Sequence, residues 1–586
     1  MLRPLYAPLP IAEPRRRGGW RQRIEREEQN QELPGPGALS HLFGLHLLDW
    51  CDGKMSASRL QQCAAAGLAD NFVHPMIQRL AGVGAAQHAN AGILGLLNTC
   101  GIPAYIRHYP GEEVTHALLP SQWVRIIMQY PHEFQRRFGA DRAKLRSFWS
   151  DFLARPCNAD IVRDHPAIRG KTLDQLETMV PLVAHTDGAP FSKTSSCNCL
   201  SFSALLGEGD EKLTRFLIAS HVKVTGNCNT RIWEHVIEDF LAMRTGVVDG
   251  NEIARDSSGT LWEFAFLFML QDEDVRCNEF GLTHYSGAHE VCSECMANRT
   301  GRPFTDLRPC ACWRPSERMT FLTYRERLRV PLHPLAASPF FCHRWFFSLD
   351  LMHLMDCKGS AALTYGGIIA FLLQDDRLGT NRLERLATIN DRRLLHYARR
   401  PGVSRLPKIF LSNVTADGWA DLHGPAFKAA ITRQAAPFFD ELVCQYCASD
   451  EPADVLLRSV AGNLNSIYRV LYAAPLFPSD ADLRELRDVV QAFGTSYQRL
   501  HELSRRLHRM AFIVKPKIHK AQHLPLYAAC INPTAVQCYA EESQMGTTVK
   551  CWKGSVAGRY KAVVQLVVLV KRVIALLLRF ELAVLR

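Results

Sequence analysis

The chain has 586 residues, with 69 Lys plus Arg against 58 Asp plus Glu, and a formal charge of +11. Apolar residues make up 47% and charged residues 22%, which excludes a disordered or fibrous protein and supplies material for a large core. The charge permits a nucleic-acid partner without demanding one, because a net charge does not say where the charges cluster.

Residues 1–40 are rich in Arg, Pro and Gly and carry the densest basic run, Arg15, Arg16, Arg17, Arg21, Arg23 and Arg26. This reads as a disordered basic arm suited to nuclear import or DNA contact. The N-terminus lacks the apolar stretch of a secretory signal, so the 19 cysteines are expected in a reducing compartment, as metal ligands or core residues. Residues 41–175 show interrupted helical periodicity, for example Trp123, Ile126, Ile127 and Met128, and predict a mostly helical N-terminal region.

The texture changes at 178. Met179 to Gly188 is an apolar run ending in Asp187-Gly188; Cys199 to Leu206 and Leu213 to Val222 follow, separated by Gly-Glu-Gly-Asp. These read as three strands joined by tight turns. Residues 229–245 place Ile232, Trp233, Val236, Ile237, Phe240 and Leu241 on one helical stripe, and Leu261 to Leu270 is apolar throughout, as a central strand covered on both faces should be. Strand, strand, strand, helix, strand, with an acid closing the first and the fourth strand, is the order of an RNase H-like α/β core. The expected division is residues 176–345 as the first part of that core, 346–514 as a large, mainly helical insertion, and 515–586 as its second part. The apolar C-terminal run is cut by Lys571 and Arg572, which predicts a buried or amphipathic helix and no membrane span.

Two constellations carry chemistry. Asp187, Asp272 and Glu542 are hard oxygen donors of the type that two-metal phosphoryl transfer uses; a rigid strand end would hold each Asp, and a later helix the Glu. Asp274 and Asp350 compete for the second position, and Glu541 adjoins the third. Cys292-Ser-Glu-Cys295 presents two thiols at a spacing that suits one tetrahedral Zn²⁺. His519 and His523, four residues apart, could complete that site, with His353 able to replace one of them. Cys444 and Cys447 read as core residues. The chain has no GxxxxGK[ST], GxGxxG, HExxH or GxSxG motif, so ATP-driven, dinucleotide, zincin and α/β-hydrolase chemistries lose support.

Taken in order, Asp187-Gly188, Asp272, Cys292-x-x-Cys295, Asp350-x-x-His353, His519-x-x-x-His523 and Tyr539-Ala-Glu-Glu542-Ser-Gln-Met545-Gly546 resemble the DDE/D transposases of CACTA (En/Spm, Tnp2-like) DNA transposons over residues 178–560. The resemblance selects Glu542 over Glu541. It implies a DNA transposase with two catalytic Mg²⁺ held by Asp187, Asp272 and Glu542, and one structural Zn²⁺. It further implies a nuclear protein that acts on double-stranded transposon ends and target DNA as a homo-oligomer. Arg392, Arg393, Arg399 and Arg400 in the helical insertion are expected to contact phosphate. The alternative is a domesticated, catalytically silent, zinc-stabilised DNA-binding protein.

Overall fold

A computed structural model describes residues 45–69, 106–109, 114–192, 195–222, 230–282, 289–328, 330–416, 419–509, 511–555 and 561–584. The N-terminal basic arm lies outside them. The fold is mixed α/β. Helices α1 (Pro120–Ile127), α2 (Pro131–Phe138) and α3 (Arg142–Leu153) precede strands β1 (Met179–Pro190), β2 (Ser196–Ala204) and β3 (Phe216–Val222), helix α4 (Thr230–Met243), strand β4 (Glu263–Leu270) and the short helix α5 (Glu273–Asn278). The sheet order is β3-β2-β1-β4: β1 pairs antiparallel with β2, β2 antiparallel with β3, and β1 parallel with β4.

Tight turns suffice for the antiparallel pairs, whereas the parallel pair needs a crossover, which α4 provides. The apolar run of β4 is buried from Phe264 through Leu270 because both of its faces are covered. Two expected boundaries shift. The second strand starts earlier, at Ser196, and Leu213 belongs to a helical turn before the third strand. The Gly207 to Asp210 turn is thus longer than the sequence suggested. Beyond β4, the Met269 amide donates to Phe346 O (2.7 Å) and the Ser348 amide donates to Met269 O (3.1 Å). A parallel bridge joins Met269 to Phe347 there, so the chain runs alongside β4 just before Asp350.

The N-terminal helices are part of this core. Trp123 Nε1 donates to Leu217 O and Trp149 Nε1 to Met179 O, each at 2.8 Å. Phe138 stacks on Phe216 and meets Phe264 edge-on. Each buried indole thereby satisfies its one donor on a strand carbonyl.

Residues 346–514 are mainly helical, with α6 (Ser360–Leu372), α7 (Arg382–Ala398), α8 (Ala436–Tyr446), α9 (Pro452–Ala473) and α10 (Asp480–Arg506). Gly366 and Gly367 let α6 pack closely: a Cβ at Gly366 would lie 2.5 Å from the backbone of Asp421, and one at Gly367 2.6 Å from the Phe512 ring. Then come α11 (Pro516–Lys520), α12 (Leu524–Cys530), α13 (Tyr539–Ser555) and α14 (Lys561–Val584). α14 packs on β3, and Arg579 pairs with Asp52 at 2.7 Å. Among the described residues, no helix is long and apolar enough to cross a membrane.

Three core histidines make the fold acid-sensitive. Burial pushes His165 down to about 4, and His333 and His343 down to about 3. An unfolded chain takes up these protons below about pH 6.5 and the native fold refuses them, so stability rises with pH between about 4 and 6.5 and falls on acidification. At pH 5 the cost is on the order of 2 kcal/mol per histidine. Urea midpoints at pH 7.5 and pH 5 check this. His165→Gln, which keeps a donor for Phe266 O (2.8 Å from the ring nitrogen), should remove part of the difference.

Candidate active site and metal centre

The first cluster forms where β1, β4 and α13 meet. Asp187 lies near the end of β1, and its Oδ1 accepts from the Gly188 amide at 2.6 Å. Burial, then the charges of Glu542 and Asp272, push the Asp187 carboxyl well above the usual carboxylate range.

Asp272 follows β4 and caps α5, accepting from the Val275 amide at 2.7 Å through Oδ1. Burial raises its carboxyl too, against the Val275 bond and the charge of His353. Glu542 sits in the first turn of α13, its amide bonded to Cys538 O at 2.9 Å.

The alternative acids are engaged elsewhere. Asp350 is buried and accepts from the amides of Met352 and Cys538, each at 3.1 Å, and from His353 Nδ1. Burial opposes its ionisation, but the hydrogen bond and charge of His353 hold it below the usual carboxylate range. Its role is to fix the imidazole. Glu541 is buried in an ion pair with Arg215. Asp274 is exposed in the first turn of α5.

His353 belongs to this acid cluster and not to the Cys/His site, which corrects its expected place as a zinc ligand. It lies in a π-helical turn, Met352–Asp356, and its Nε2 lies 3.7 Å from Glu542 Oε1. With Nδ1 held by Asp350, it faces carboxylates. Burial works against its protonation, but Asp350 and Cys357 outweigh it and lift the imidazole to about 11. At neutral pH it is a cation beside Glu542.

The second cluster joins Cys292, Cys295, His519 and His523. One ligand atom from each lies within 4.8 Å of the others, all four residues are buried, and the set could hold a metal such as zinc. Cys292 Sγ lies 3.4 Å from His523 Nε2, and Cys295 Sγ 3.2 Å from His519 Nε2. Tetrahedral zinc with the usual bond lengths sets S···N at ~3.5 Å, so the donors stand close to where the ion needs them.

His523 Nδ1 meets Glu317 Oε1 at 2.8 Å, the outer carboxylate that fixes a ligating imidazole. Trp313 packs edge-on against His519, ring centroids 4.4 Å apart. Burial opposes ionisation of Cys292, but the Cys295 thiol and the two imidazoles hold it well below the usual thiol range. Burial pushes the Cys295 thiol up. The His pair bridges two short segments, α11 and the 3₁₀ turn Ala521–His523, in place of one continuous helix. Cys310 and Cys312 are exposed and lie outside the cluster; of the other pair, Cys447 is buried and Cys444 exposed.

Neither cluster stands alone. Glu294, inside the CxxC, pairs with Arg276 of α5 at 2.6 Å, and Lys520 of α11 pairs with Glu273. Both ties converge on the helix that Asp272 caps. Glu294, Arg276 and Glu317 carry no motif that sequence reading could find.

The expected phosphate contacts divide. Arg393 is buried and donates to Leu406 O at 2.6 Å, which removes it from any DNA-facing set. Arg392 lies against Tyr446, donating to its hydroxyl at 2.8 Å. Arg399 and Arg400 are exposed, Arg400 meeting His396 Nε2 at 3.2 Å.

No protein-family model matches this chain, and no curated protein matches it.

Proposed function

We propose that the protein is a metal-dependent polynucleotidyl transferase of the DDE transposase type, with an RNase H-like core interrupted by the 346–514 helical insertion. The observation that carries this reading is that α13, with Glu542 in its first turn, packs on β1, near whose end Asp187 lies, while Asp272 follows the neighbouring strand β4, 270 residues before Glu542. Strand order 3-2-1-4 with its mixed pairing, and the extended segment beside β4, support the core assignment.

The donor chemistry of the three acids is what suggests Mg²⁺. All the donors are the hard oxygens that Mg²⁺ prefers. Asp187, Asp272 and Glu542 would hold the ions. When bound, Mg²⁺ activates a water and neutralises charge on phosphodiester oxygens. The protein's own contribution is positioning. The Asp272 cap fixes that carboxylate through the backbone of α5, and Asp350 aims His353, whose positive charge restrains the Glu542 carboxylate. Double-stranded DNA is the proposed substrate, bound by a homo-oligomer in the nucleus, with Arg399 and Arg400 available for phosphate.

The test is nicking of supercoiled plasmid by the full chain in Mg²⁺ or Mn²⁺, alongside DNA retardation as a function of salt. Nicking lost in chelator, with affinity falling steeply as salt rises, is expected. Salt-dependent binding without nicking in either metal would leave a DNA-binding protein built on the same core. Neither binding nor nicking would reject the reading.

A further inference from the structure

The turn that carries His353 and the helix that carries Glu542 meet at two points, three residues apart on each element. One is the approach of His353 Nε2 to Glu542. The other joins Asp356, which closes the π-helical turn, to Tyr539, which opens α13: the Tyr539 hydroxyl donates to Asp356 Oδ2 at 2.7 Å. Asp356 is 1% exposed, and its other oxygen accepts from the Tyr468 hydroxyl of α9. Burial lifts its carboxyl to about 7, against these two bonds and the charge of Arg433. Arg433, from the short helix Ala429–Gln434, lies 4.8 Å from the centroid of the Tyr539 ring and 4.7 Å from that of Tyr472. It donates to the Tyr472 hydroxyl, and that hydroxyl donates to Gln537 Oε1 at 3.0 Å.

A buried carboxylate is costly even when hydrogen-bonded, and apolar side chains of like volume would join these segments at least as firmly. A hydrogen bond supplies what apolar packing lacks, a defined distance and direction. Residues i and i+3 stand one above the other on a helix, so anchoring the Tyr539 hydroxyl fixes the rotation of α13 about its axis and with it the direction of Glu542. The tolerance is small. A rotation of about 10° would carry a carboxylate ~5 Å from the axis by roughly 1 Å, against the ~0.2 Å within which metal–ligand distances hold. Resting on the polynucleotidyl-transferase reading, we infer that Tyr539 and Asp356 are positioning residues for Glu542, the bond between them setting the rotation of α13 so that the carboxylate reaches the ions. Tyr468, Tyr472 and Arg433 extend that anchor into the 346–514 insertion, which thereby holds the acid site in register without supplying a ligand.

The test is a Mg²⁺ titration of the full chain followed by Tm, with nicking of supercoiled plasmid measured at the same Mg²⁺ concentrations. Tyr539→Phe keeps the ring against Arg433 and removes only the hydroxyl. It should keep its zinc and need about tenfold more Mg²⁺ than wild type to reach the midpoint, the usual cost of losing an outer partner of a metal ligand. Its nicking should recover in excess Mg²⁺. Tyr497→Phe is the control, because the buried Tyr497 hydroxyl donates to Ile513 O at 3.0 Å away from α13. This variant loses a hydrogen bond of the same kind, so its Tm in chelator should fall by a similar amount while its Mg²⁺ midpoint stays that of wild type. A Tyr539→Phe midpoint equal to wild type, or a Tyr497→Phe midpoint displaced as far, overturns the inference and leaves Asp356 a structural link. A wild type that neither nicks nor gains Tm with Mg²⁺ rejects the underlying reading instead.

Discussion

Asp187→Asn is expected to abolish metal-dependent nicking, by on the order of 10³-fold or more, because it removes one of the three carboxylates proposed to hold the ions. The same change should stabilise the metal-free protein. The folded Asp187 carboxyl is raised by burial and by Glu542 and Asp272. A carboxyl raised on folding lowers stability as pH climbs from its unfolded value, near 3.9, through its folded value. The neutral amide of Asn has no such loss. In chelator at pH 7 the variant should therefore melt above wild type, and adding Mg²⁺ should raise the wild-type Tm while leaving the variant's nearly unmoved. Thermal melts with and without Mg²⁺, run beside the nicking assay, separate this from simple misfolding. A variant that nicks at the wild-type rate would remove Asp187 from the mechanism.

Cys292→Ser is expected to lose zinc and a large part of the fold's stability. Structural zinc sites are worth roughly 10 kcal/mol or more in small domains; here the loss should appear as partial insolubility or a Tm lower by many degrees. Cys292, Cys295, His519 and His523 are buried together beside Trp313, so removing one ligand leaves thiol and imidazole groups buried without a metal. The damage should spread. Arg276–Glu294 and Lys520–Glu273 tie both halves of the cluster to α5, and Asp272 caps that helix. Stripping zinc from wild type with a chelator, then supplying Mg²⁺, should give a weaker Mg²⁺-dependent rise in Tm than the zinc-loaded chain shows. His353→Ala, by contrast, should keep one zinc per chain by atomic absorption, since His353 lies with Asp350 and Glu542.

Much of the architecture is legible in the residues because local patterning is a local property. The uninterrupted apolar run Phe264–Leu270 could only be satisfied with both faces covered, and the stripe of Ile232, Trp233, Val236, Ile237 and Phe240 only by a helix against that sheet. Strand ends were less readable: Ser196-Cys-Asn-Cys199 pairs with β1 although its composition is polar, because a ladder needs backbone groups more than apolar side chains. The CxxC and HxxxH spacings named ligand types, since sulfur and imidazole chemistry belongs to single residues.

Which ligands share an ion is a different matter, because it depends on where the chain returns after more than 200 residues. Only the tertiary structure placed His519 and His523 opposite the thiols and sent His353 to the acids. It also buried Arg393 among carbonyls, where a basic run had looked like a surface. The sequence by itself determined the strand and helix types and the donor chemistry, through periodicity and side-chain identity. The tertiary structure alone decided the company each donor keeps, because burial and long-range charge, which set a carboxyl's proton, arise only when distant segments close on one another.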